Sequence, residues 1–222
     1  NMNRSENMER YLREPINGLT HLAGAILSLF AMIAMVIKAA SMTNSTVAVT
    51  SVVIFGISMV LLYGASATYH SVFAKERVLL FLRRLDHSMI FLLIAGSYTP
   101  FCLISLNNSA GKILFAIVAT QAILGILFKM FWFHCPRWLS TTIYIVMGWM
   151  ALFVFVPLTE VLAPAGFMLL VLGGVLYTIG GMIYGVKPKG LTFKNWGYHE
   201  IFHIFILLGS LCHFLCVYLY VL

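Results

Sequence analysis

Charge is what this sequence has least of. Only 9% of its 222 residues are Asp, Glu, Lys or Arg, against roughly 25% in an ordinary soluble domain. A chain so poor in ions cannot cover its surface with them, which excludes water as the main solvent of the fold. Cysteine is sparse as well. Cys102, Cys135, Cys212 and Cys216 form no CxxC pair and no secreted-type spacing, so no disulfide framework is expected. No cleavable signal peptide is expected either, because residues 1–14 are polar and the first apolar run is too long for one. The net charge of +7 would suit nucleic acid only if basic side chains gathered on one exposed face of a soluble domain. They fall instead in short stretches between apolar runs, and no nucleic-acid partner is expected.

What the chain does have is apolar length. Hydrophobic residues make up 61% of it, and a helix crossing a bilayer needs about 20 mostly apolar residues. Reading between the charges gives seven such runs, at about 15–37, 47–70, 87–106, 113–131, 138–156, 161–186 and 198–222. Asn107, Asn108 and Ser109 close the third, and Pro157 is expected to end the fifth. The sixth holds Gly173, Gly174, Gly180, Gly181 and Gly185, residues that let helices approach closely in a membrane. The expected fold class is therefore all-α: an integral membrane bundle of seven transmembrane helices, in one domain spanning residues 1–222.

The basic residues give its orientation. Arg4, Arg10 and Arg13 precede the first span, and Lys75, Arg77, Arg83 and Arg84 follow the second. Lys129 and Arg137 follow the fourth, and Lys187, Lys189 and Lys194 follow the sixth. All of these share one side, while only Lys38 and Lys112 fall on the other. By the positive-inside rule the N-terminus is expected in the cytoplasm and the C-terminus outside.

Ionisable residues inside a membrane are costly, and each one points to function by default. On this topology His70 ends the second span, Asp86 opens the third, and His199 and His203 open the seventh. All four come to the basic side from positions far apart in sequence. His199 and His203 are spaced i, i+4, so they lie on one helical face and suit capture of a metal. Ser66 and His70 share that spacing. Three neutral imidazoles with an open fourth position are a common arrangement for catalytic zinc, and a carboxylate such as Asp86 could take a proton from a water there. Soft Cu(I) would call for sulfur ligands, and no cysteine lies at that depth. The competing structural account is that paired histidines satisfy each other or a carbonyl, and that Ser66 packs as a small residue. Glu14, Asn17 and His21 recur at i, i+3, i+7 on the first span, as a shell behind the metal ligands or as a capping network. His213 lies about 15 Å beyond His203 at 1.5 Å per residue, too deep for the same ion, and is expected to be a buried, hydrogen-bonded histidine. Tyr98 and Thr99, before Pro100, are expected to pack. His87 and His134 are read as interfacial residues.

At these residues the sequence resembles the hemolysin III family, the bacterial branch of the progestin and adipoQ receptor superfamily. The matching stretches are Glu14-Pro-Ile-Asn-Gly-Leu-Thr-His21, Ser66-Ala-Thr-Tyr-His70-Ser, the run from Arg84 through Asp86 to Pro100-Phe, and His199-Glu-Ile-Phe-His203. They span essentially the whole chain, and the ordered set is far more specific than any one motif. The resemblance implies a seven-helix fold in the bacterial plasma membrane. It implies Zn2+ held by His70, His199 and His203, with Ser66 and Asp86 beside a metal-bound water. Alkaline ceramidases share the pattern in the wider superfamily.

The function expected from residues and resemblance together is metal-assisted hydrolysis of a lipid amide or ester at the inner leaflet. Asp86 and Ser66 would be its catalytic residues, and a membrane lipid or fatty-acyl ligand in the bundle cavity its partner. Two readings stand beside it. One is a non-enzymatic regulator or receptor of membrane-lipid homeostasis with structural zinc. The other is the pore-forming, cytolytic activity in the family name, which needs a polar path across the full thickness; the external halves of these spans are largely apolar. Nothing in the sequence fixes an oligomeric state.

Overall fold

The computed structural model of the chain describes Met8 and residues 11–132, 134–193 and 196–222. Seven helices in it are long and apolar enough to cross a membrane. They are α1 (Pro15–Thr43), α2 (Thr46–Ser71), α3 (Glu76–Leu106), α4 (Ser109–Phe131), α5 (Arg137–Val161), α6 (Pro164–Val186) and α7 (Tyr198–Val221). The termini of these helices follow from local chemistry. Pro15 occupies the first turn of α1, where a missing N–H costs nothing. Ser45 and Asn108 cap α2 and α4 by accepting from the backbone N–H groups of Ala48 and Gly111. Asn44, Asn107 and Lys187 take the left-handed conformation just after α1, α3 and α6, and so turn the chain back.

Two departures from the sequence expectation bear on the site. The third helix begins at Glu76, well before His87. The segment carrying Arg77, Arg83 and Arg84 is therefore helical rather than a loop. A spanning helix can run past the hydrocarbon edge once its charged residues reach the headgroup region, because its backbone bonds remain satisfied. Charge alone marked the hydrocarbon boundary, not the helix end.

The second departure is in α5, which continues through Pro157 to Val161 instead of ending there. The ring of Pro157 cannot take a donor's place and crowds the turn before it. The chain responds by tightening into a 3₁₀ stretch over Met150–Val154. Tyr98, expected only to pack, serves this break. Its hydroxyl lies 2.7 Å from the carbonyls of both Met147 and Gly148, to which it donates, and it accepts from the N–H of Ala151 at 2.9 Å. In hydrocarbon no water can satisfy those backbone groups, so a side chain has to. On α3 itself, Pro100 precedes a π-helical turn over Phe101–Leu106, the widening expected where a proline disturbs the bonding ladder.

Small residues set the helix contacts. A Cβ on Gly96 would strike Ser58, and one on Gly125 would strike the Phe91 ring. These positions bring α2 and α4 against α3, with Phe55, Phe91, Met59 and Val118 fully enclosed between them. Packing of this kind, rather than a hydrophobic effect, holds helices together in lipid. The outward faces carry exposed Leu27, Phe30, Ile123, Leu124 and Phe153, as a lipid-facing surface requires.

Candidate metal centre

His70 sits on the last turn of α2, and His199 and His203 lie one turn apart at the start of α7. Their ligand atoms all fall within 4.8 Å of one another. The Nε2 atoms of His70 and His199 are 3.4 Å apart. Two nitrogens on the edge of a tetrahedron around a metal at 2.0–2.1 Å are separated by about 3.3 Å, so this pair already has the spacing of two ligands. The rings pack tightly, with centroids of His70 and His203 5.0 Å apart and of His199 and His203 4.7 Å apart. His70 and His203 are almost wholly enclosed. The donor set fits a divalent cation.

The N-terminal end of α1 supports His70. The backbone N–H groups of Arg13 and Glu14 donate to the carbonyls of Ser71 and His70 at 3.2 and 2.9 Å, which pins Glu14 beside the ring. Its Oε2 then accepts from His70 Nδ1 at 2.7 Å. A carboxylate on one imidazole nitrogen fixes the tautomer and turns the other nitrogen, here Nε2, toward a metal. Partial burial would raise the pKa of Glu14, but the hydrogen bond and charge of His70, with Arg13 and Asn17 beside it, outweigh that and bring it down to about 2. Glu14 is thus ionised at any physiological pH.

Asn17 ties the two ends of the site together. Its Nδ2 lies 3.2 Å from Glu14 Oε2 and 2.9 Å from Glu200 Oε1, donating to both. The other oxygen of Glu200 accepts from Gly197 N–H at 2.8 Å and caps α7. Glu200 therefore sets the position of the helix that carries His199 and His203. Sequence reading missed this residue, although an acidic side chain three places after a helix-starting glycine is a capping-box spacing and gave a usable signal.

His21 packs flat on His203, with centroids 3.5 Å apart and planes 10° from parallel. Its Nδ1 is 2.7 Å from Ser66 Oγ. Ser66 is buried, with its neighbour one turn on, His70, in the cluster. Both His21 and Ser66 line a cavity of about 240 Å³ whose walls are otherwise mostly apolar. Asp86 lines that cavity too. It also lines a polar vestibule of about 360 Å³ with Glu14, Arg83, Arg137 and Glu200. His199 borders both spaces. Asp86 is not among the side chains whose ligand atoms converge.

His87, set aside in the sequence as an interfacial residue, is anchored at this junction. Its Nδ1 donates to the Arg83 carbonyl at 2.7 Å and its Nε2 accepts from the Tyr184 hydroxyl at 2.7 Å. Its Nδ1 is also 3.9 Å from Asp86 Oδ2. His134 is exposed and outside the site. His213 lies away from the cluster, buried and bonded to the carbonyl of Leu170.

Seven apolar helices and a buried three-histidine cluster at their basic end define a multi-pass membrane protein with a candidate metal centre. Residues 9–214 match the family model described as Haemolysin-III related, and the chain belongs to that family. It is 43% identical to Hemolysin-3 of Bacillus cereus over 217 residues, covering 97% of this chain and 95% of that protein. It is 42% identical to the Hemolysin-3 homolog of Bacillus subtilis (strain 168) over 211 residues, covering 93% of each.

Proposed function

We propose that the protein is a zinc-dependent hydrolase acting on a lipid amide or ester. One observation carries this reading: the histidine cluster adjoins an apolar cavity at the place where Asp86 and Ser66 also border it. Three imidazoles with no cysteine suit zinc over softer metals. Zinc bound there would supply Lewis acidity and lower the pKa of a coordinated water toward about 7.

The chain's own residues would do the rest. Glu14 holds His70 in the ligating tautomer. Asp86, facing both the cavity and the wetter vestibule, takes the proton of the attacking water and passes it outward. With its proton on Nδ1, His21 would donate to Ser66 Oγ, which would leave the serine hydroxyl to donate to the substrate carbonyl and to the charge that develops on it. The apolar walls take the hydrocarbon part of the lipid, which enters sideways from the bilayer.

Purified protein is expected to hold about one zinc per chain and to hydrolyse ceramide-like or phospholipid substrates in detergent. Elemental analysis that finds no zinc, with none taken up on addition, would sink the metal assignment. Zinc retained without turnover of any lipid would favour a regulator with structural metal instead. The Bacillus relatives are named hemolysins. A pore, however, needs a polar path through the full thickness, and the cavity walls away from the cluster are largely apolar, with Leu106, Leu114, Val154 and Leu158 among them.

The distribution of basic residues supports a cytoplasmic position for the cluster, and with it a substrate drawn from the inner leaflet. A reporter fused after Leu222 is expected outside the cytoplasm, and one inserted between Lys75 and Arg77 inside it. Cytoplasmic labelling of the C-terminus would move the site to the outer leaflet.

A further inference from the structure

His213 is an intramembrane histidine that the hydrolytic reading leaves unused. Its Nε2 lies 3.0 Å from the carbonyl oxygen of Leu170. A carbonyl can only accept, so Nε2 carries the proton, and in the uncharged ring Nδ1 is then a lone-pair acceptor. That Nδ1 is buried and meets no hydrogen-bond partner among the described residues. A buried acceptor without a donor is costly in any protein, and more so in hydrocarbon.

The helices are shaped to place this ring. A Cβ on Gly173 of α6 would collide with the imidazole of His213 on α7. In return, a Cβ on Gly209 of α7 would collide with the phenol ring of Tyr177 on α6. Two reciprocal glycines thus seat two polar aromatic rings, edge to face with centroids 5.2 Å apart. Both rings line the apolar cavity.

Tyr177 has no hydrogen to spare for its neighbour. Tyr63 donates to the Ile206 carbonyl at 3.1 Å. Ser210 then donates to Tyr63 at 2.5 Å, and Tyr177 donates to Ser210 at 2.6 Å. With its hydrogen engaged, the Tyr177 phenol oxygen can only accept a further bond, as can His213 Nδ1. Two acceptors beside one cavity call for a donor that none of the described residues provides.

We propose that His213, with Tyr177 beside it, is a second polar subsite of the cavity that recognises a hydroxyl group on the hydrocarbon chain of the bound lipid. The proposal rests on the reading of the cavity as a lipid site and specifies which lipids it prefers. His213 lies ten residues beyond His203 on one helix, about 15 Å at 1.5 Å per residue, a span that an extended alkyl chain covers in roughly a dozen carbons. A lipid held by its head at the histidine cluster therefore presents a mid-chain hydroxyl to His213. A hydroxyl next to the head, or at the far methyl end, misses it.

The test is binding, independent of turnover. Octadecanoic acid and its derivatives hydroxylated beside the carboxyl, at mid-chain or at the methyl end compete with a fluorescent fatty-acid probe for the purified, metal-loaded protein. The mid-chain isomer is expected to bind roughly tenfold more tightly than the plain acid, the effect of satisfying one buried acceptor, and the other isomers are not. His213→Phe should bring the ratio of mid-chain-hydroxylated to plain acid affinity to about one, whatever it does to the plain acid itself, and His213→Asn, which keeps an acceptor near Nδ1, should retain part of the preference. Equal affinity of all the acids for the wild type, as when water fills the position, overturns the subsite and leaves the lipid cavity standing. A preference that survives in His213→Phe also overturns it. Displacement of the probe by none of the acids overturns both readings together. The wild-type comparison decides the matter even if a variant fails to fold.

Discussion

Replacing His203 with Ala is expected to strip the protein of metal and of hydrolytic turnover together. His203 is one of only three described side chains whose ligand atoms converge within 4.8 Å, and it shares a helical face with His199. Removing it leaves two imidazoles, a pair that zinc occupies in water far less tightly than a braced triad. The void would be buried against His21, whose stacking partner is lost with it. Glu14→Gln provides the graded comparison. The amide oxygen can still accept from His70 Nδ1, but the charge that raises the ligand's basicity is gone, and outer-shell losses of this kind cost about 10- to 100-fold in metal affinity. Zinc competition against a chelator of known affinity reads both variants. The expected order is wild type, then Glu14→Gln, then His203→Ala with a loss beyond 100-fold. Wild-type zinc content in His203→Ala would show that the cluster is not the metal site, and an unchanged Glu14→Gln would show that the carboxylate only ties α1 to α2.

The parts of this site legible in the sequence were those set by topology. Seven apolar runs and one-sided basic residues carry His70, His199 and His203 to the same end of the bundle, and i, i+4 spacing puts two of them on one face. Helical periodicity gives a face but not the rotation and tilt of one helix against another. The bond from Glu14 to His70, the stack of His21 on His203 and the bridge from Asn17 to Glu200 depend on that relative placement. The breaks in α3 and α5 were hidden for a related reason. A proline signals that a bond is lost, but whether the helix stops or is repaired depends on what reaches the freed carbonyls. Here Tyr98 of α3 reaches those of α5. The start of α3 at Glu76 was obscured because a basic stretch reads equally as a loop or as the wetted end of a helix. His87 was passed over because an interfacial histidine is unremarkable until Tyr184 and Asp86 are seen on either side of it.

Asp86→Asn is expected to separate the metal from the chemistry. Asp86 lines both the apolar cavity and the polar vestibule, yet it stands outside the group of converging ligand atoms. Its substitution leaves the three histidines and the Glu14 support untouched, so zinc content should stay near that of the wild type. The amide is close to isosteric and can still accept a hydrogen bond from a water between cavity and vestibule. It cannot hold that water's proton. Loss of a general base typically lowers turnover by roughly 10²- to 10⁴-fold, and the loss should appear in kcat with little change in KM, since the apolar walls proposed to take the lipid are unaltered. His199→Ala, assayed alongside, should lose zinc and turnover in parallel. Paired measurements of zinc per chain and lipid hydrolysis distinguish the outcomes. If Asp86→Asn loses its zinc as fully as His199→Ala, the aspartate is a ligand and its assigned role is wrong. If the variant keeps both zinc and wild-type turnover, the proton goes elsewhere. The vestibule then offers Glu14 and Glu200 as the remaining described carboxylates, each already held at both oxygens, Glu200 by Asn17 and Gly197 and Glu14 by Arg13 on one side and His70 with Asn17 on the other.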